Sequence, residues 1–84
     1  MLLSFQRQAW QDYLYWFKVN RKFCKRIHDL IEDTLRHSFT GLGKPEPLKG
    51  NLKGLWSRRI DQEHRMVYAV TQEALILVQL RHHY

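Results

Sequence analysis

The sequence holds a single cysteine, Cys24, so no intrachain disulfide can form. A small domain without that staple depends on its core, and the lack fits a reducing compartment, most simply the cytosol. Long apolar runs are missing too. None approaches the ~20 residues of a membrane helix, and the opening MLLSF gives way to polar residues too soon for a signal peptide. Acids are scarce: eight Asp and Glu face fourteen Lys and Arg, for a net charge of +6. That imbalance points to an anionic partner such as nucleic acid, an acidic protein segment or a lipid surface. The excess is shared evenly between residues 1–40 and 41–84, so a basic patch has to be made by folding. Proline is rare and concentrated: Pro45 and Pro47 are the only two, and they flank Glu46.

What is present suits one globular domain over residues 1–84. Apolar residues make up 44% and charged residues 26%, unlike a disordered chain. Three Trp, four Tyr and four Phe supply large pieces of apolar surface. Residues 2–5 read as a short strand. Trp10, Tyr13, Leu14 and Phe17 fall at i, i+3, i+4, i+7, which predicts a helix over 7–19 with that stripe, widened by Trp16, turned inward. No strong cap precedes it. Asn20 breaks the helix and caps the next one, 21–37, whose Phe23, Ile27, Leu30, Ile31 and Leu35 repeat at the same spacing. Residues 38–51 are rich in Gly, Pro and Asn and read as a loop of unusual length. Beyond them the period changes to two. Segments 55–60, 64–70 and 74–83 read as strands joined by turns at Asp61–Glu63 and Thr71–Glu73. The class expected is α+β, a helix hairpin on a mainly antiparallel sheet.

Strand parity carries the reading further. A three-residue turn at 61–63 sets Arg59 opposite Arg65. A second three-residue turn would put Arg65 near Gln79, turn Met66, Tyr68, Val70, Ile76, Val78 and Leu80 to the core, and gather Arg59, Arg65, Arg81 and His83 on the other face. Two guanidinium groups opposed across a strand pair repel; they either splay into water or converge on an anion.

An RNA phosphate would suit that face. A ribonuclease that uses the substrate's own 2′-hydroxyl needs a base, an acid for the leaving 5′-oxygen, and cations on the phosphate; it requires no protein nucleophile and no metal or other cofactor. Glu46 is the candidate base, its backbone restricted by the flanking prolines. His83 is the candidate acid. Arg65, Arg59, Lys49 and Lys44 are candidate phosphate contacts, and Tyr84 could stack on a base. From spacing alone, Glu46 also fits a solvated loop acid, and His82 and His83 a polar chain end. Trp56, Tyr68 and Cys24 fit packing better than chemistry, and no ligand spacing supports a metal at His64, His82 and His83.

The segments WQDYLYW (10–16), GKPEPLKGNLKGLWSRRI (43–60), EHRMVYAV (63–70) and RHHY (81–84) resemble the YoeB/Txe toxins, a branch of the RelE-like superfamily. The resemblance runs from the first strand to residue 84. It implies a microbial-ribonuclease-like α+β fold and a toxin of a type II toxin–antitoxin pair that cleaves mRNA in the A site of the 70S ribosome and blocks translation. It implies an antitoxin similar to YefM or Axe that wraps the toxin with its C-terminal segment, the complex repressing its own operon. By the same resemblance Glu46 is the base and His83 the acid, with Lys49, Arg59, Arg65 and Tyr84 beside them. LLSFQRQ departs from the family pattern by lacking a serine helix cap, which bears on stability more than on activity. Two other readings stay open: a basic RNA- or ribosome-binding module acting by occupancy, and a subunit serving chiefly in a repressor complex. A homodimer through exposed aromatics is a further possibility.

Overall fold

The computed structural model describes residues 1–82. The elements follow as β1 (Leu2–Phe5), α1 (Arg7–Val19), α2 (Arg21–Arg36), β2 (Glu46–Pro47), β3 (Trp56–Arg59), β4 (Arg65–Val70) and β5 (Ala74–Gln79), with a 3₁₀ turn at Gly50–Leu52. Two helices pack on a five-stranded mixed sheet of order β1-β5-β4-β3-β2, the α+β arrangement expected. β1 runs parallel to β5; the other neighbouring pairs are antiparallel. No helix among the described residues is long and apolar enough to cross a membrane.

The helix starts follow local chemistry. Asn20 caps α2, its side-chain oxygen accepting from the Phe23 amide at 3.2 Å. Gln6, before α1, makes no side-chain cap; its amide donates instead to the Leu77 carbonyl at 2.9 Å, so the sheet holds that end. α2 buries the face its spacing predicts, with Ile27, Leu30 and Ile31 inside and Phe23 and Leu35 partly covered.

On α1 Trp16 is buried as expected, but the rest of the stripe is not. Trp10, Leu14 and Phe17 are exposed and Tyr13 is half-buried, while Ala9, Asp12 and Trp16 face the core. The helix docks through polar groups as well as apolar ones. Asp12 Oδ2 accepts from the Leu80 amide at 3.0 Å, and Trp16 Nε1 donates to the Leu80 carbonyl at 2.8 Å. Gln8 donates to the other oxygen of Asp12 at 2.8 Å. The buried carboxylate is thereby satisfied, as burial demands.

The β3–β4 register is the one predicted, with Arg59 opposite Arg65. The β4–β5 register is not. Val70 pairs with Leu75 and Tyr68 with Leu77, so Leu75 and Leu77 enter the core where Ile76 and Val78 were expected. Val67 then pairs with Gln79, and the register shift between Val67 and Tyr68 makes Val78 an extra residue. Such a bulge flips parity, which returns Leu80 to the core. β5 is interior to the sheet and apolar on both faces, so alternation alone could not fix it. Arg65 consequently meets His82, its amide donating to the His82 carbonyl at 3.1 Å, rather than Gln79. Arg81 does not join the open face: its guanidinium lies over the Tyr15 ring of α1 at 3.5 Å.

Candidate active site

The stretch read as a loop contains β2, and this builds the site. Glu46 pairs with Ser57 and Pro47 with Trp56. Across β3, Trp56 and Arg58 oppose Tyr68 and Met66 on the core side, so Ser57 and Arg59 point to the side away from the helices. Arg59 is therefore diagonal to Glu46, a spacing of ~7–8 Å between residues in such pairs, and directly opposite Arg65. Glu46, Arg59 and Arg65 share one open face. Glu46 and Lys49 line a shallow cavity of about 320 Å³ with Pro47 and Leu48. Lys44 is exposed two residues ahead, in the left-handed region at φ 52°.

Arg65 is oriented by its own turn. Its Nη1 donates to the carbonyls of Asp61 at 2.9 Å and Gln62 at 3.1 Å. Asp61 shapes that turn by accepting from the Glu63 and His64 amides at 2.8 and 2.7 Å. The Arg59 backbone is held on both sides, its amide donating to the Gly43 carbonyl at 2.6 Å and its carbonyl accepting from Arg26 at 3.2 Å. The candidate acid His83 and the candidate stacking residue Tyr84 lie outside the described residues.

Arg58 was not among the candidate residues read from the sequence, yet it organises the site. It is fully buried. Its Nη1 donates to Asp33 Oδ2 at 2.7 Å and to the Leu42 carbonyl at 3.0 Å; its Nη2 donates to the carbonyls of Thr40, at 2.8 Å, and His37. Nε donates to the Tyr68 hydroxyl at 3.2 Å, and that hydroxyl donates to the Ser38 carbonyl at 2.8 Å. One guanidinium thus ties α2, the segment leading to Glu46 and β4 together. Its position on the core-facing parity of β3 was the available signal.

Charge and burial act on each partner. The Leu42 amide and then the Arg58 guanidinium hold the Asp33 carboxyl below its ordinary range. Burial pushes the Tyr68 phenol up, against the opposing pull of Arg58, so it stays a donor. Gly43 closes the approach at φ 78°, where a Cβ would stand 2.8 Å from a Leu30 methyl. Cys24 packs in the core, and burial raises its thiol. Among the described residues no three His, Cys, Asp or Glu side chains gather as a metal-binding group.

This architecture is shared by known proteins. A family model described as the YoeB-like toxin of bacterial type II toxin-antitoxin systems matches residues 5–84. Toxin YoeB of Escherichia coli strain K12 is 52% identical over the full length of both chains. Among solved structures, a YoeB/ParE toxin from Agrobacterium tumefaciens superposes with a TM-score of 0.97 at 45% identity, covering both chains completely. Staphylococcus aureus YoeB has been solved as a dimer, with a TM-score of 0.94 at 39% identity, covering 100% of this chain and 98% of that one. It has also been solved as a YoeB–YefM complex, with a TM-score of 0.91 at 41% identity, covering 100% and 99%. With half its residues matched to a relative end to end, and its family-model match reaching from β1 to residue 84, the chain belongs to the YoeB-like toxins of type II toxin–antitoxin systems.

Proposed function

We propose that this toxin is a metal-independent endoribonuclease that cleaves mRNA in the ribosomal A site and so stops translation. The observation that carries the reading is the register of β2, β3 and β4, which puts the lone carboxylate of the 43–59 stretch on one open face with Arg59 and Arg65. Glu46 takes the proton of the 2′-hydroxyl. The 2′-oxygen attacks the adjacent phosphorus, and the 5′-oxygen leaves with a proton from His83. The products are a 2′,3′-cyclic phosphate and a free 5′-hydroxyl. Arg65 and Arg59 face the phosphate as its negative charge grows, with Lys49 and Lys44 holding flanking phosphates. Tyr84 completes the site by stacking or orienting the strand. Within this reading the toxin is one domain over residues 1–84 acting in the cytoplasm, its partners the 70S ribosome, mRNA and a YefM-like antitoxin whose C-terminal segment covers it; self-association is a further state for it.

The test uses mRNA programmed on ribosomes, with a single 2′-deoxy substitution at the cleaved nucleotide. Wild-type toxin should yield 5′-hydroxyl ends on the all-ribose message and none at the deoxy site. Glu46→Gln should slow cleavage by about 10²–10⁴-fold while leaving ribosome binding in place. Translation blocked over intact message would replace this reading with occupancy. Undiminished cleavage by Glu46→Gln would remove Glu46 as the base.

A further inference from the structure

β5 ends at Gln79, yet the chain beyond it is held tightly. The Leu80 amide donates to Asp12 and its carbonyl accepts from Trp16 Nε1, at 3.0 and 2.8 Å. The Arg81 carbonyl accepts from Gln79 Nε2 at 2.8 Å. The His82 amide donates to His64 Nδ1 at 2.8 Å, and the His82 carbonyl accepts from the Arg65 amide at 3.1 Å. Four of these five bonds come from side chains, drawn from α1, from the turn before β4 and from β5 itself. They hold His82 at φ 65°, a left-handed conformation uncommon for a residue with a Cβ.

His64 is built for this contact. Its ring stands edge-on to Trp16 and Phe23, with centroids at 4.8 and 5.9 Å, and its side chain is only 11% exposed. Because Nδ1 accepts a backbone N–H, the ring proton sits on Nε2, which faces Glu63 at 3.8 Å. Packing fixes the ring and the tautomer fixes the acceptor. The residue that follows His82 is His83.

We propose that His64 is a positioning residue: its Nδ1 fixes the left-handed turn at His82, the residue joined by a peptide bond to the candidate acid. This rests on the ribonuclease reading above. His64 touches no substrate; it acts through the main chain.

The test compares two variants of similar polarity. In His64→Asn the side-chain oxygen falls where Nδ1 was, whereas in His64→Gln the amide group falls where Nε2 was. Hydrogen exchange at the His82 amide should be slow in wild type and His64→Asn and fast in His64→Gln. Single-turnover cleavage of ribosome-bound mRNA should drop about 100-fold in His64→Gln, with ribosome binding unchanged, and return to within about tenfold of wild type in His64→Asn. Wild-type cleavage by His64→Gln with its His82 amide exposed overturns the inference, as does equal exchange in all three proteins. A wild type that leaves message intact overturns the ribonuclease reading instead, and exchange at His82 still decides whether His64 holds the turn.

Discussion

Arg58 and Arg59 are neighbours on one short strand, and they live opposite lives. Arg58 is wholly buried and donates to four backbone or carboxylate oxygens and a phenol. Arg59 is exposed and faces another arginine. A buried cation is tolerable only when every donor has a partner. A pair of like charges at the surface is tolerable because water screens it, and the proposed RNA phosphate would offset the repulsion that remains. The alternation of a strand thus splits two identical side chains into a fastener for the fold and a cation on the surface, the one proposed above to meet RNA.

That contrast can be broken by mutation. Arg58→Met should cost about 3–5 kcal/mol in urea unfolding, since it strands Asp33 and three loop carbonyls. A loss below about 1 kcal/mol would mean the network contributes little beyond packing. Tyr68→Phe removes one hydroxyl and leaves both Arg58 Nε and the Ser38 carbonyl short of a partner. It should cost about 1–3 kcal/mol, read by the same titration.

Asp33 sharpens the comparison through pH. Its folded-state pKa lies below its unfolded one, so its contribution is complete above the ordinary carboxylate range and fades as pH falls through the lower folded value. Wild type should lose stability in that acid window, and Asp33→Asn should flatten the curve there while lowering it near neutrality. An unchanged acid limb would separate Asp33 from the network. The smallest stability effect belongs to Arg59→Gln, which should stay within about 0.5 kcal/mol of wild type. Its signature is electrostatic: the slope of log binding constant against log salt for single-stranded RNA should fall by about 0.7. An unaltered slope would remove Arg59 from the phosphate contacts.

The elements were legible because the apolar period changes from helical to two at residue 55, and the Arg59–Arg65 pairing was legible because a short turn fixes register. The buried face of α1 was not. Trp10, Tyr13, Leu14 and Phe17 match an inward stripe, whereas the true inner face includes a charged residue, Asp12, that pattern reasoning sends to solvent. β5 misled because Leu75 and Leu77 alternate with equally apolar Ile76 and Val78, and the bulge restores parity only at Leu80. Two residues of strand, one of them a proline, in a stretch rich in glycine gave no periodic signal for β2. Of the candidate face, the pairing of Arg59 with Arg65 was readable from the chain while Arg81 was misplaced; the Arg58 network beneath it came from contacts between residues distant in sequence.

The parallel pairing of β1 with β5 carries a consequence for the life of the protein. β1 is the first strand made and β5, which sits between it and β4, is the last. A nascent chain therefore cannot complete its sheet until synthesis has reached Ala74–Gln79. Until that segment has been made, β1 and β4 have no strand between them, and the sheet closes when this one segment inserts rather than strand by strand.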